Sequence, residues 1–281
     1  MVNVVFSKQI EYCIMTSSGF FTDLPSLLTE LCQSARRAGT SVLDIYDGLF
    51  DVDLKSDNSP VTAADLASEE IILSDLSRLC PSIRVISEEA HARSSDPANS
   101  VPDRLFFLVD PLDGTKEFVA RNGDFTINIA LIEDGKPIMG VVYAPALGRM
   151  YAGIVGEGAC FYQENDVPHP IHVRRPPPDG LVVVASRSHA APEQDRKFLE
   201  RYTISETKRI GSSLKFCLLA EGIADLYPRF SPTMEWDTAA GHAVLKAAGG
   251  RVVTANGYDE LTYGKSSLRI PAFIAWGGTP S

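Results

Sequence analysis

The 281-residue sequence has a deficit of positive charge and no long hydrophobic run. Its 26 lysine and arginine residues are outnumbered by 36 aspartate and glutamate residues, so the formal net charge is −10. A surface for nucleic-acid polymers is therefore disfavoured, because such surfaces need clustered positive charge. No apolar run approaches the roughly 18 residues that span a bilayer, so no transmembrane segment is predicted. An acidic chain can still bind a small anion where metal ions reverse the local charge.

The sequence also lacks a cysteine pattern typical of disulfide frameworks or zinc sites. Its five cysteines are widely scattered, their number is odd, and no C-x-x-C motif occurs. Reduced thiols predict a cytoplasmic location, with peripheral association with the inner membrane and the oligomeric state left open. Residues 1–22 lack the basic start and the long apolar stretch of a signal peptide. We interpret them as an N-terminal extension, either disordered or produced by an upstream start codon.

Hydrophobic periodicity predicts two helices followed by an antiparallel sheet in the first part of the chain. Apolar residues recur at helical spacing after Asp23, a candidate helix cap, up to about residue 47. A second helix is expected over about 62–79. Strands follow, among them a hairpin whose turn is Asp134-Gly135. These elements make up the predicted first lobe, residues 23–175.

A proline-rich run at residues 174–180 is the predicted boundary between two lobes, because its three prolines stiffen the chain and remove backbone donors. Beyond it, short strands alternate with helices expected over 193–201, 212–221 and 238–248. Residues 176–281 are therefore predicted to form an α/β lobe. The fold class is a combination of α+β and α/β, and the cleft between the lobes is the expected ligand site.

Carboxylates recur where predicted strands give way to loops or helices. An apolar strand over 105–109 leads into Asp110-Pro111-Leu112-Asp113-Gly114-Thr115. Because Pro111 cannot donate to a sheet and Gly114 permits unusual dihedrals, the chain is expected to turn directly after Asp110. The turn would direct Asp110 and Asp113 into the same space.

Three further carboxylates occupy comparable positions. Glu88 follows the preceding strand, Asp237 opens a helix of the second lobe, and Asp65 lies early in a helix. Each alone is typical of a solvated loop or a helix cap. Their recurrence at the ends of strands and the starts of helices predicts one shared site.

This carboxylate set is typical of metal-dependent hydrolysis of phosphate esters. Neighbouring carboxylates repel one another unless a proton or a cation lies between them, and oxygen ligands favour Mg²⁺, Mn²⁺ or Ca²⁺ over zinc. Two bridged ions can activate a water and neutralise the leaving oxygen. Thr115 and Asp65 are expected to hold the nucleophilic water. The amides of Gly114 and Thr115 are expected to face a phosphate if a helix begins there.

The sequence resembles the inositol monophosphatase superfamily of lithium-sensitive, magnesium-dependent phosphatases. The matching residues are Glu88-Glu89, the run from Asp110 to Thr115, and Trp236-Asp237, with support from SPVTAAD at 59–65 and GSSLKFCLLAEG at 211–222. Within the superfamily the resemblance is closest to the bacterial 3'(2'),5'-bisphosphate nucleotidases, and it runs from about residue 33 to the C-terminus. It implies a layered αβαβα sandwich with the site between two lobes.

The resemblance also implies the roles of individual residues. Two or three Mg²⁺ ions would be bound by Glu88, Asp110, Asp113, Asp237 and the Leu112 carbonyl. Asp65, Thr115 and Glu88 are the implied catalytic residues, which activate water. The implied reaction removes the 3'-phosphate of adenosine 3',5'-bisphosphate to give AMP and phosphate, in sulfur assimilation. The related 3'-phosphoadenylyl sulfate is a further implied substrate, and lithium inhibition is implied as well.

A nucleotide bisphosphate carries a second phosphate, which needs cationic partners in the second lobe. Ser212, Lys215 and Arg229 are suitable donors, and the SRSH segment at 186–189 adds Arg187 and His189. Each of these side chains would also be ordinary on a protein surface. The predicted substrate-binding set is Leu112, Asp113, Gly114, Thr115, His189, Ser212, Lys215, Arg229 and Asp237.

Three alternative functions share parts of this pattern. An inositol monophosphatase would not require a second anion site, which makes that site the discriminating feature. A serine acylase is suggested by S-x-x-K at 212–215 and S-D-N at 56–58, but their order is reversed and no K-T-G occurs. A non-catalytic nucleotide sensor would be expected to lack a metal ligand or the water-activating pair, and neither is missing.

Overall fold

The computed structural model describes residues 24–49, 51–54, 60–93, 104–163, 167–187, 193–256 and 259–278. The predicted N-terminal extension, the candidate cap Asp23, the S-D-N segment and His189 lie outside the described residues. Among the described residues, no helix is long and apolar enough to cross a bilayer.

The two predicted N-terminal helices are confirmed to within about one residue. Helix α1 spans Leu24–Tyr46, and helix α2 spans Ala63–Leu79 after a short pair of strands, β1 (Val52–Leu54) and β2 (Pro60–Thr62). Helix α2 begins with a capping box. The Thr62 hydroxyl accepts a hydrogen bond from the Ala64 amide, and the Asp65 carboxylate accepts one from the Thr62 amide.

The first sheet has seven strands, which follow one another in chain order from β3 to β9. Only its first pair is parallel, and the remaining pairs are antiparallel. The predicted hairpin turn is confirmed, and both Asp134 and Gly135 have the positive φ of a two-residue turn. The elements of this region are β3 (Arg84–Ser87), α3 (Glu88–Arg93), β4 (Leu105–Asp113), α4 (Thr115–Val119), β5 (Thr126–Glu133), β6 (Lys136–Ala144), β7 (Arg149–Ile154), β8 (Gly158–Tyr162) and β9 (His169–Ile171).

The second half of the chain forms a five-stranded sheet, in the order β11-β10-β12-β16-β14, and helices lie between its strands in the chain. The edge strand β11 was not predicted, because its sequence is polar and most of its side chains are exposed. The elements are β10 (Leu181–Ser186), α5 (Glu193–Leu199), β11 (Ile204–Ile210), α6 (Leu214–Ala220), β12 (Leu226–Arg229), β13 (Thr233–Met234), α7 (Trp236–Ala247), β14 (Arg251–Thr254), β15 (Arg269–Ile270) and β16 (Phe273–Trp276).

The elements stack as the predicted αβαβα sandwich. Helices α1 and α2 bury one face of the seven-stranded sheet, where Leu27 and Ile72 pack with Ile129. Helices α6 and α7 lie between the two sheets within one large apolar cluster. Helix α5 covers the outer face of the five-stranded sheet through Phe198. The division into lobes at 174–180 stays a prediction, since α7 belongs to the second half of the chain yet packs on the first sheet.

Helix α7 can approach the first sheet closely because small residues meet at the contact. A Cβ atom on Gly140 of β6 would lie 2.5 Å from the carbonyl oxygen of Ala240, and one on Gly153 would lie 2.8 Å from Ala247 Cβ. The absence of side chains at both positions lets the helix lie directly on the sheet. This contact brings the N-terminal end of α7, with Asp237, to the carboxyl end of β4.

Candidate active site

The run from Asp110 to Asp113 is a bulge within β4. The expectation that the strand ends at Asp110 was wrong, because β4 continues to Asp113. Asp110 pairs with Asn128 and Asp113 with Thr126, so β4 has one more residue than β5 over this stretch. Residues three apart on a regular strand point to opposite faces, and the extra residue of a bulge removes that alternation. Pro111 suits this position because it has no amide hydrogen to leave unpaired.

The bulge contributes to a cluster of carboxylates drawn from three elements. Glu88 at the start of α3, Asp110 in β4 and Asp237 in the first turn of α7 each place a carboxylate oxygen within 4.8 Å of the others. Asp113 lines the adjoining cleft together with Glu88 and Asp237. The structure therefore brings together all four side chains that were predicted as metal ligands.

The electrostatics of this cluster favour a bound cation. Burial raises the pKa of Asp110 well above its ordinary value, and the negative charges of Glu88, Asp113 and Asp237 raise it further. The Leu112 amide donates to Asp110 Oδ1 at 3.1 Å, which offsets only part of this effect. Asp110 Oδ2 is buried and has no hydrogen-bond partner among the described residues. A buried carboxylate oxygen without a donor, among other carboxylates, fits a divalent cation.

The pKa of Asp113 is also raised, and opposing charges act on it. Burial and the nearby Asp237 raise the pKa of Asp113 to about 7, while the positive charges of Lys215 and Arg229 act in the opposite direction. Its carboxylate therefore lies within electrostatic range of both the acidic cluster and the basic side chains of the cleft.

Asp113 accepts a hydrogen bond from a buried polar network that was not predicted from the sequence. Asn128 Nδ2 donates to Asp113 Oδ2 at 3.4 Å, and Ser213 Oγ donates to Asn128 Oδ1 at 2.7 Å. Thr126 Oγ1 lies 2.9 Å from the same Ser213 hydroxyl. Asn128, Ser213 and Thr126 are all buried. Because Ser213 precedes α6, the network connects the first sheet to the second half of the chain.

The expected water-activating pair is also assembled. Thr115 Oγ1 lies 3.3 Å from Asp65 Oδ1 and 3.3 Å from the Leu112 carbonyl oxygen. Asp65 Oδ2 accepts hydrogen bonds from the amide and the hydroxyl of Thr62, both at 2.8 Å. One oxygen of Asp65 is thus committed to the capping box, and the other faces Thr115. Gly114, with φ of 90°, precedes α4 and lets the chain turn into it.

Basic side chains also line the cleft and form its basic wall. Lys215 is only 3% exposed, donates to the Ser212 carbonyl oxygen, and places its ammonium 5.6 Å from the centre of the Tyr227 ring. Arg229 Nη1 donates to the Tyr227 hydroxyl at 3.1 Å. Arg229 Nε and Ser212 Oγ are buried and have no hydrogen-bond partner within the described part of the chain. These groups line the same cleft as Asp113 and are available to an anionic ligand.

Arg187 is the remaining predicted candidate within the described part of the chain. Arg187 forms an ion pair with Asp124 at 2.6 Å, and Asp124 also accepts from the Gly211 amide, so Arg187 is engaged next to the cleft. Tyr227 is buried and also lines the cleft.

Two buried glutamates near the carboxylate cluster were missed by the sequence analysis. Glu69 on α2 contacts the start of α3. Glu235 directly before α7 accepts from the amides of Gly264 and Lys265 at 2.6 and 3.0 Å. Glu69 follows the motif residue Asp65, and Glu235 precedes the motif residue Asp237. Residue type alone does not distinguish either of them from a surface glutamate.

Comparison with known proteins identifies the family of the chain. The profile of the Inositol monophosphatase family matches residues 23–277. The 3'(2'),5'-bisphosphate nucleotidase CysQ of Escherichia coli strain K12 is 51% identical over 232 residues, which cover 80% of this chain and 89% of that protein. The protein of the same name from Buchnera aphidicola is 42% identical over 243 residues, or 86% of this chain and 89% of that protein.

A solved structure gives the same result. The crystal structure of CysQ from Bacteroides thetaiotaomicron, described as a bacterial member of the inositol monophosphatase family, aligns with a TM-score of 0.78 at 37% identity. The alignment covers 90% of this chain and 98% of that one.

Proposed function

The chain belongs to the inositol monophosphatase family, and on that premise we propose that it is a magnesium-dependent phosphomonoesterase that removes the 3'-phosphate of adenosine 3',5'-bisphosphate. The products are AMP and phosphate. A second proposed substrate is 3'-phosphoadenylyl sulfate, and the proposed role of the reaction is in sulfur assimilation. The observation that carries the proposal is the carboxylate cluster of Glu88, Asp110 and Asp237 in a cleft that is also lined by the buried Lys215 and the half-buried Arg229.

The metal site consists of hard oxygen donors. Two or three Mg²⁺ ions would be held by the carboxylates of Glu88, Asp110, Asp113 and Asp237 and by the carbonyl of Leu112, a donor set that suits Mg²⁺. When bound, magnesium lowers the pKa of water and stabilises negative charge on the leaving oxygen. The unpartnered oxygen of Asp110 supports this assignment.

Thr115 and Asp65 orient and deprotonate the attacking water. The Thr115 hydroxyl donates its hydrogen to Asp65 Oδ1, which leaves its own lone pairs to accept a hydrogen bond from that water. The fixed acceptor aligns the water for attack on the phosphorus. Asp65 is the base, since its Oδ1 lies outside the capping box: it takes the Thr115 hydrogen while Thr115 Oγ1 takes a proton from the water.

The basic wall selects a substrate with two phosphates. Lys215, Arg229 and the Ser212 hydroxyl supply charged and neutral donors in the cleft that Asp113 also lines, and charged donors form the stronger hydrogen bonds. An inositol monophosphate has a single phosphate. That phosphate would occupy the metal site and leave the basic wall without a partner. The relatives named 3'(2'),5'-bisphosphate nucleotidase support the larger substrate.

The test is to incubate the purified protein with Mg²⁺ and adenosine 3',5'-bisphosphate and to identify the nucleotide product. Release of phosphate together with AMP is expected. Release of adenosine 3'-phosphate would contradict the assignment of the 3'-phosphate to the metal site. Binding of the nucleotide without phosphate release would instead indicate a sensor.

A further inference from the structure

Helix α2 contacts three segments of the active site through residues on one face. Thr115 Oγ1 lies 3.3 Å from Asp65 Oδ1, and Ser68 Oγ donates to the carbonyl oxygen of Pro111 at 2.7 Å inside the bulge of β4. Glu69 reaches the start of α3. Positions i, i+3 and i+4 of a helix lie on the same face. Helix α2 is therefore a common support for segments that reach the cluster from different parts of the chain.

The carboxylate of Glu69 is 2% exposed, and its partners surround Glu88 in the chain. Its Oε1 accepts from Ser87 Oγ at 2.5 Å and from the Ala90 amide at 2.8 Å. Its Oε2 forms an ion pair with Arg93. One buried side chain therefore bonds to three positions around Glu88, namely Ser87, Ala90 and Arg93.

These bonds take the place of a local cap on α3. The first amides of a helix have no partner within the helix, and a serine that precedes it commonly accepts one of them through its hydroxyl. Here the Ser87 hydroxyl donates to Glu69, and the Ala90 amide donates to the same oxygen. The orientation of the first turn of α3, which carries Glu88, therefore depends on a carboxylate from another helix.

We propose that Glu69 is a positioning residue of the metal site, which fixes the first turn of α3 so that Glu88 stays within 4.8 Å of Asp110 and Asp237. The inference rests on the proposed metal-dependent function. Groups that orient metal ligands commonly change metal affinity by about 10–100-fold when they are removed. Glu69 is thus expected to act on metal affinity without contacting the substrate.

The test compares Mn²⁺ binding by Glu69→Ala and Glu70→Ala, measured from the electron paramagnetic resonance signal of free Mn²⁺. Glu70 is the matched control, because it is the same residue type at the next position and is exposed. We expect Glu69→Ala to bind Mn²⁺ at least about tenfold more weakly and Glu70→Ala to bind it as the wild type does. The Mg²⁺ concentration for half-maximal phosphate release should rise in parallel, while saturating Mg²⁺ restores kcat and KM is unchanged.

Two further variants separate positioning from a general loss of structure. Glu69→Gln keeps the size of the side chain and one oxygen for the Ala90 amide, so it should fold and show a smaller loss of affinity. Arg93→Ala removes only the partner that is 54% exposed, and it should change Mn²⁺ affinity by less than about fivefold.

Unchanged Mn²⁺ affinity in both Glu69 variants would overturn the inference, as would a loss of kcat that excess Mg²⁺ does not restore. If the wild-type protein binds Mn²⁺ but hydrolyses no phosphate ester, the proposed function fails. The Mn²⁺ comparison would still decide the role of Glu69, because it does not depend on turnover.

Discussion

Thr115 and Asp65 are separated by 50 positions in the chain, and their side-chain oxygens lie 3.3 Å apart. Asp65 belongs to the first turn of α2, and Thr115 begins α4. Their contact places a hydroxyl and a buried carboxylate beside the Leu112 carbonyl, next to the acidic cluster. The pair therefore combines a group that can orient water with one that can accept its proton.

Thr115→Val removes the hydroxyl and keeps the shape of the side chain. We expect kcat to fall by about 100-fold or more, as is typical when a general-base arrangement is lost, with Mn²⁺ affinity unchanged. Thr40→Val is the control, because this α1 residue is exposed and its hydroxyl donates to the Arg36 carbonyl on its own helix. Steady-state kinetics that show kcat of Thr115→Val within twofold of wild type would rule out the role of the pair.

Asp113→Asn should abolish turnover and leave the fold intact. The change removes a negative charge that interacts with Asp110 and Asp237, so the metal-free variant is expected to be at least as stable to heat as the wild type. Its stabilisation by Mg²⁺ should shrink, because a ligand that binds only the native state stabilises it less when the affinity is lower. Thermal unfolding with and without Mg²⁺ measures both effects, and the exposed Asp179→Asn is the control. Near-normal activity would contradict the site assignment.

Stabilisation by Mg²⁺ should increase with pH. The pKa of Asp113 in the folded protein is raised to about 7, above the roughly 3.9 of an unfolded aspartate. The folded state therefore binds this proton more tightly, and the stability that it contributes is present below about pH 4 and is lost as the pH rises to about 7. Asp110 shifts in the same direction.

Protons and Mg²⁺ thus compete for these carboxylates. The rise in Tm caused by Mg²⁺ should grow between about pH 5.5 and pH 8, and Asp113→Asn should flatten this dependence. A rise in Tm that is the same across that range would show that the two carboxylates are not titrating against the metal.

Lys215→Met tests the basic wall while preserving apolar bulk at a buried position. Loss of a charge-assisted contact to a second phosphate should raise KM for adenosine 3',5'-bisphosphate by about tenfold or more. The KM for inositol 1-phosphate should change much less. Lys208→Met is the control, since the Lys208 side chain is 35% exposed and pairs with Glu206 on an edge strand. Equal changes for both substrates would exclude a specific contact to the second phosphate.

Local sequence patterns predicted several elements of the fold. The helical spacing of α1, the span of α2 and the Asp-Gly turn each depend on neighbouring residues alone, and each is confirmed. Strand β11 was missed because a polar edge strand has no apolar alternation. The predicted end of β4 was wrong because Pro111 is accommodated in a bulge, and a bulge depends on the pairing with β5.

The contacts that hold the site together required the tertiary structure. The motif residues Asp110 and Asp237 are recognisable one by one, yet their proximity depends on α7 lying on glycines of the first sheet. The support of Asp113 by Asn128, and of the start of α3 by Glu69, joins segments far apart in the chain. Residue type alone does not reveal such partners, since buried and exposed glutamates look the same in a sequence.

A phosphate-release panel tests the central claim most directly. Adenosine 3',5'-bisphosphate, inositol 1-phosphate and fructose 1,6-bisphosphate would be compared at saturating Mg²⁺, with kcat/KM measured for each. We predict that the nucleotide is preferred over both sugar phosphates by at least about tenfold, the scale of one well-placed charged contact. A higher kcat/KM for inositol 1-phosphate, or no hydrolysis of the nucleotide, would contradict the claim.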